Sequence, residues 1–122
     1  MTAKTAALVI GIVFIVVGIL GFIPNPILSP DGIFVVDTLH NLVHLISGIV
    51  LLAGAYGFGA SLALKIVGIV YALVAVLGFL VVGDDGMMLG LIHVNEADKW
   101  LHVALAVVIL IAGFGLPDDR MA

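Results

Sequence analysis

Charged residues are so sparse along this chain that they divide it into a few long apolar runs. Lys4 and Asp31 bracket the first, whose apolar part is Ala6 to Ile23, and Asp37 and Lys65 bracket the second, Leu42 to about Phe58. Lys65 and Asp84 enclose a third, Ile66 to Gly83, and Lys99 and Asp118 a fourth, Trp100 to Leu116. An ion at the bilayer centre costs at least ~2.5 kcal/mol, and lipid offers no water to an unpaired backbone group. Runs of about 20 apolar residues therefore predict membrane-spanning helices, here at 6–23, 41–58, 64–83 and 98–116. The weakest boundary lies between the second and third, where Gly54, Gly57, Gly59 and Ser61 predict a tight turn near 57–62. Pro24, Pro26 and Pro30 mark a loop after the first span, with Ser-Pro-Asp-Gly at 29–32 reading as a type I turn.

Composition sharpens this picture. Of 122 residues, 64% are hydrophobic and 10% charged, with a mean hydropathy of +1.41, far from the roughly 25% charged residues of a water-soluble domain. The expected class is all-α, a single four-helix transmembrane bundle. The formal charge of −4 and scattered cations give no basic patch, so nucleic acid is excluded as a partner and the lipid bilayer is the expected one. The absence of Cys removes disulfides, thiolate metal sites and Cys nucleophiles.

Lys4, Lys65 and Arg120 fall on the side of the termini, whereas Asp31, Asp37, Asp84, Asp85, Glu96 and Asp98 fall on the other, with Lys99 against the trend. The positive-inside rule then predicts cytoplasmic termini. The first run is not expected to be a cleaved signal peptide, because it is long and no small-x-small site follows it.

Shifting the sequence by 57 residues places Gly11-Ile12-Val13-Phe14 on Gly68-Ile69-Val70-Tyr71 and Leu20-Gly21-Phe22 on Leu77-Gly78-Phe79. A shift of 58 places Gly32 to Asp37 on Gly90 to Asn95, His44 on His102, and Tyr56-Gly57 on Phe114-Gly115. The expectation is a tandem, parallel repeat of a two-span hairpin, over about 6–60 and 63–117. Gly11, Gly18, Gly68 and Ala75 form small-residue positions where spans 1 and 3 are expected to meet.

The polar residues cluster in the repeat. Asp37 and Asn95 occupy equivalent positions before spans 2 and 4 and read as helix N-caps, and Asp98 suits the positive helix end. Seven residues beyond each cap stand His44 and His102, about 10 Å down their helices at 1.5 Å per residue, with His40 and Asp98 one turn above them. An ionisable residue at that depth marks a candidate functional site. His44 and His102 fit axial ligands of a haem or pigment; His40, His44, Asp98 and His102 fit a metal such as zinc; the same groups fit a proton relay. Against these stands a structural reading without any cofactor, in which His44 and His102 hydrogen-bond to each other, to backbone or to Ser47. His93 is expected in a solvated loop, since its counterpart is Val35, and Trp100 and Tyr56 read as interface anchors. No catalytic set has a spacing that points to an enzyme.

The pattern Gly-Ile-Phe-Val-Val-Asp-Thr-Leu-His-Asn-Leu-Val-His-Leu at 32–45, with Gly-Leu-Ile-His-Val-Asn-Glu-Ala-Asp-Lys-Trp-Leu-His at 90–102, resembles a family of small bacterial four-span membrane proteins known only as a domain of unknown function. His40, Asn41 and His44 match its first motif and Asn95, Asp98 and His102 its second, while Asp37 stands where the family pattern has Asn. The resemblance implies a bacterial plasma membrane and four helices, and supplies no activity. Small multidrug exporters share the length but carry a Glu in span 1, which here has no ionisable residue. The functional expectation is a structural or accessory subunit, packing as a homo-oligomer or within a larger membrane complex. The alternatives are a haem-, pigment- or metal-binding membrane protein using His44 and His102, and a small proton-linked transporter.

Overall fold

A computed structural model describes residues 1–82, 86–90 and 92–117. Among them are four helices long and apolar enough to cross a membrane: α1 (Ala3–Leu20), α2 (Thr38–Ala53), α3 (Ala60–Leu80) and α4 (Glu96–Gly115). Two short strand pairs sit before α2 and α4. β1 (Leu28–Ser29) pairs in parallel with β2 (Phe34–Val35), and β3 (Met87–Met88) pairs antiparallel with β4 (Ile92–His93). Gly83, Asp84, Asp85, Leu91, Asp118 and Arg120, used above to bracket spans and sort charges, lie outside the described residues.

Hydrogen bonding sets the helix ends. Thr2 caps α1, its side-chain oxygen accepting from Thr5 N, so the helix starts ahead of the apolar run and Lys4 lies inside its first turn. Gly32 N donates to Ser29 O, 3.1 Å away, closing the turn at 29–32. Asn25, which the sequence did not single out, organises the same loop: its Nδ2 reaches the carbonyls of Leu20, Ile23 and Leu28, and its Oδ1 accepts from Ile27 N and Leu28 N. The expected turn at 57–62 is displaced. The helix widens into one π-helical turn, Gly54–Phe58, and the chain reverses at Gly59, whose φ of 128° only glycine adopts without strain, so that residues 60–62 already belong to α3.

The glycine-lined face of α1 meets α2, not α3 as the repeat register predicts. A Cβ on Gly11 would lie 3.1 Å from the Gly48 carbonyl oxygen, and one on Gly48 only 2.6 Å from that of Gly11; Gly18 packs on Leu45. Gly68 likewise packs on Leu110 of α4, while Ala75 is buried on α3. Backbones can approach this closely only without side chains, and in lipid such close packing holds helices together. The physical reason for the correction is local: each close pair is formed by helices joined through one connection. Spans 1 and 3 meet instead through the rings of Phe14 and Tyr71, 5.1 Å apart. Ser61 Oγ adds a bond to Gly113 O across α3 and α4, at 2.9 Å. Ile12, Val16, Ile46, Ile49, Leu73, Val76, Val108 and Ile111 all face outward, a surface that suits acyl chains and not water.

The four helices alternate in direction. Ala3 N donates to Pro117 O, at 2.8 Å, so the start of α1 and the residues just after α4 meet at one end of the bundle. Lys4 lies there over the ring of Tyr56 and Lys65 over that of Phe114. The opposite, loop end carries both strand pairs, and Trp100 packs there edge-on against Phe79.

Candidate metal centre

Every residue of the centre hangs on the entry points of α2 and α4. Asp37 caps α2 through Oδ1, which accepts from His40 N at 2.8 Å. Asn95 caps α4, its side chain accepting from Asp98 N while Asp98 Oδ2 accepts from Asn95 N. This reciprocal box satisfies two of the free N–H groups of the helix start. The two entrances also grip each other's loops: His93 N donates to Asp37 Oδ2 (3.0 Å), and Asn95 Nδ2 donates to Ile33 O (2.9 Å).

From these fixed starts, one and two turns bring three imidazoles into contact. The ring of His40 lies 4.8 Å from that of His44 and 5.4 Å from that of His102, and His44 and His102 are 6.5 Å apart. All three are buried, at 2%, 2% and 3% exposure. One ring nitrogen from each can be chosen so that all three lie within 4.8 Å of one another. Phe14 and Tyr71 pack beside them, 5.8 Å from His44 and 5.9 Å from His102. The sequence reading missed both aromatics because each looks like ordinary apolar filling of a span.

Asp98 is not part of the group. The expected four-ligand set of His40, His44, Asp98 and His102 is thus reduced to three. Asp98 sits one turn above His102, as the spacing predicts, but its carboxylate turns back to the helix start, bonding Asn95 and the Val35 backbone. His93 is corrected too: it is half-buried in β4, and both its backbone groups are engaged, the N–H by Asp37 and the carbonyl by His40 Nδ1 at 3.0 Å.

The hydrogen bonds expected of a cofactor-free structural cluster are not made. Ser47 Oγ donates to Val43 O and pairs with Tyr71 OH, rather than with His44. His44 Nδ1 and Nε2, His40 Nε2 and His102 Nδ1 are buried with no hydrogen-bond partner among the described residues. Buried polar atoms are normally satisfied, and leaving one unpaired costs roughly 1–3 kcal/mol. Each of the three histidines thus keeps at least one buried ring nitrogen without a hydrogen-bond partner among the described residues, in a group whose donor type could hold a metal ion.

A family model described as a domain of unknown function, DUF4383, matches residues 4–115. No curated protein and no solved structure matches the chain.

Proposed function

The chain belongs to the DUF4383 family, and we propose that it is a multi-pass membrane protein that holds one divalent transition-metal ion between His40, His44 and His102. The observation carrying this reading is the convergence of three buried imidazoles, each with at least one ring nitrogen that has no hydrogen-bond partner among the described residues. Imidazole donors suit zinc, copper, iron and nickel, and zinc takes them at about 2.0–2.1 Å in tetrahedral geometry. Tetrahedral ligands at that bond length stand about 3.3 Å apart, so nitrogens now within 4.8 Å of one another would have to draw together around the ion. Three protein ligands leave one position open, as in zinc sites that bind or activate a fourth group.

The donor chemistry also ranks the alternatives. A haem or pigment between His44 and His102 is disfavoured, because the His40 ring stands close to both. A proton relay across the bundle would need polar stations below the cluster, where Leu51, Leu64, Val67 and Ile109 form the core. A purely structural subunit explains the apolar surface but not the unpaired nitrogens. The same proposal gives the protein cytoplasmic termini, on the charge asymmetry of Lys4 and Lys65 against Asp31, Asp37 and Glu96, and a bacterial plasma membrane on the resemblance of the motifs at 32–45 and 90–102 alone. It also takes the two hairpins as copies of one unit, supported by the equivalent caps Asp37 and Asn95 and the equally buried Val36 and Val94.

The test is elemental analysis of protein purified from native membranes without a His tag. About one zinc, copper, iron or nickel per chain, lost in His44→Ala and His102→Ala, is the expected result. A folded protein that neither carries nor takes up stoichiometric metal overturns the reading.

A further inference from the structure

At the loop end, between the last turn of α1 and the start of α2, lies an open cleft of about 560 Å³. Two carboxylates, Asp31 and Asp37, line it, and no cationic side chain does so among the described residues. Asn41 lines it too. That residue is 3% exposed, and its Oδ1 has no hydrogen-bond partner among the described residues. Its amide end is turned to Gly21, on the same cleft wall, where a Cβ would collide with it. Buried amide oxygens are normally satisfied, so an unpaired one beside a cleft points to a donor from outside the chain.

Helices α3 and α4 contain the matching place, and there it is filled. Gly78 of α3 faces Lys99 of α4 as Gly21 faces Asn41, with Lys99 Cγ 3.6 Å from where a Gly78 Cβ would stand. The Lys99 ammonium donates to Glu96 Oε1 at 2.8 Å and lies 5.9 Å from the centre of the Phe79 ring. Phe22 follows Gly21 as Phe79 follows Gly78, and its ring stands exposed at the open cleft. One corner of the molecule therefore carries its own ammonium beside an acid and a ring. The other has acids, a ring and an unpaired oxygen, and no cation of its own.

Donor chemistry decides the class of occupant. Carboxylate and amide oxygens only accept, so the group they recognise must bring N–H or O–H donors together with positive charge. A quaternary ammonium has no such donor, and no three His or acidic side chains gather here as metal ligands among the described residues. The end of α1 adds partial negative charge at Gly21, while the positive start of α2 is already capped by Asp37. We infer that this cleft binds a primary ammonium group at the membrane surface, held by Asp31, Asp37 and Asn41. The inference stands apart from the metal reading. The headgroup of an ethanolamine phospholipid and a free alkylamine both offer this chemistry.

The full chain, labelled with ¹⁵N in phosphatidylcholine nanodiscs, tests it through the backbone amide resonances of Gly21 and Gly78. Replacing half of the lipid by phosphatidylethanolamine with the same acyl chains, or adding ethylammonium, is expected to shift Gly21 and leave Gly78, beside Lys99, in place. A response to the lipid alone assigns the occupant to the bilayer, and a response to ethylammonium shows that the ammonium suffices. Tetramethylammonium should do nothing. Asn41→Lys, which tethers an ammonium at the site, should abolish the Gly21 response, and Asp31→Asn should weaken it about two- to fivefold, the scale of an exposed ion pair. The inference is overturned if neither ammonium source moves Gly21, if tetramethylammonium moves it equally, or if Gly21 and Gly78 move together. An undiminished response in Asp31→Asn and in folded Asn41→Lys overturns it as well.

Discussion

His40 faces the carbonyl of His93 with its Nδ1 at 3.0 Å, while the His93 N–H is held by the same Asp37 carboxylate that caps the helix carrying His40. A carbonyl can only accept, so Nδ1 must carry the proton and Nε2 the lone pair. Nε2 is the nitrogen with no hydrogen-bond partner among the described residues. One carboxylate thus fixes a helix start, a loop from the other half of the chain and the tautomer of a candidate ligand. Outer partners of this kind commonly tune metal affinity.

Asp37→Ala should therefore do two things at once. Loss of the cap costs about 1 kcal/mol of stability. Release of the His93 segment should lower metal affinity roughly 10- to 100-fold, the usual scale for an outer-sphere partner. Asp37→Asn, which retains a capping oxygen, should recover much of the stability. Thermal unfolding in detergent read beside competition with a metal chelator separates the two effects; an unchanged affinity in Asp37→Ala would remove the positioning role.

If three histidines rather than four groups hold the metal as proposed, a specific mutational pattern follows. His40→Ala, His44→Ala and His102→Ala should each abolish stoichiometric metal. Asp98→Asn should retain it, because the Asp98 side chain serves the α4 entrance. Metal content by mass spectrometry of the intact protein reads this directly; loss of metal in Asp98→Asn with the fold retained would restore the carboxylate to the ligand set. Because protons compete with the metal for imidazole lone pairs, binding should also weaken as the medium is acidified.

Much of this was legible before any coordinates. Isolated charges and proline-rich punctuation define four spans, because an ion in lipid is costly wherever it is placed. Asp37 and Asn95 announce the helix starts, and a count of seven from each reaches His44 and His102. What the count could not reveal is side-chain direction at a helix end. Asp98 stands at the same height as His40, yet its short carboxylate folds back to Asn95, whereas the longer imidazole extends toward the cluster. Helix partners were equally hidden, since Gly11 and Gly68 look alike in a repeat whether they face each other or their own hairpin mates. Phe14, Tyr71 and Asn25 gave no signal, for aromatics and loop asparagines are common and only their contacts distinguish them.

Close approach of α1 and α2 should make Gly48 intolerant of any side chain. A methyl there would sit 2.6 Å from the Gly11 carbonyl oxygen and from Ile15 Cγ1, both on a packed helix that must move to admit it. Gly48→Ala should destabilise the protein by about 1–3 kcal/mol, the range for overpacking a filled core. Gly115→Ala is the matched control, because nothing lies within 4 Å of the position its Cβ would take. Denaturation of the two variants in the same detergent gives the comparison, and equal stability would mean that the helices do not pack this closely.

Topology can be read with single cysteines, since the chain has none of its own. Asp31 lies in the loop after α1, at the end that carries the histidines, and Tyr56 lies at the opposite end beneath Lys4. If the charge asymmetry orients the protein as proposed, Asp31→Cys is labelled by a membrane-impermeant maleimide on intact cells, and Tyr56→Cys only after permeabilisation. The reverse pattern would turn the metal centre toward the cytoplasm. The cluster would then draw its metal from the tightly buffered pool inside the cell, and the three imidazoles would have to compete with cytoplasmic thiolates for it.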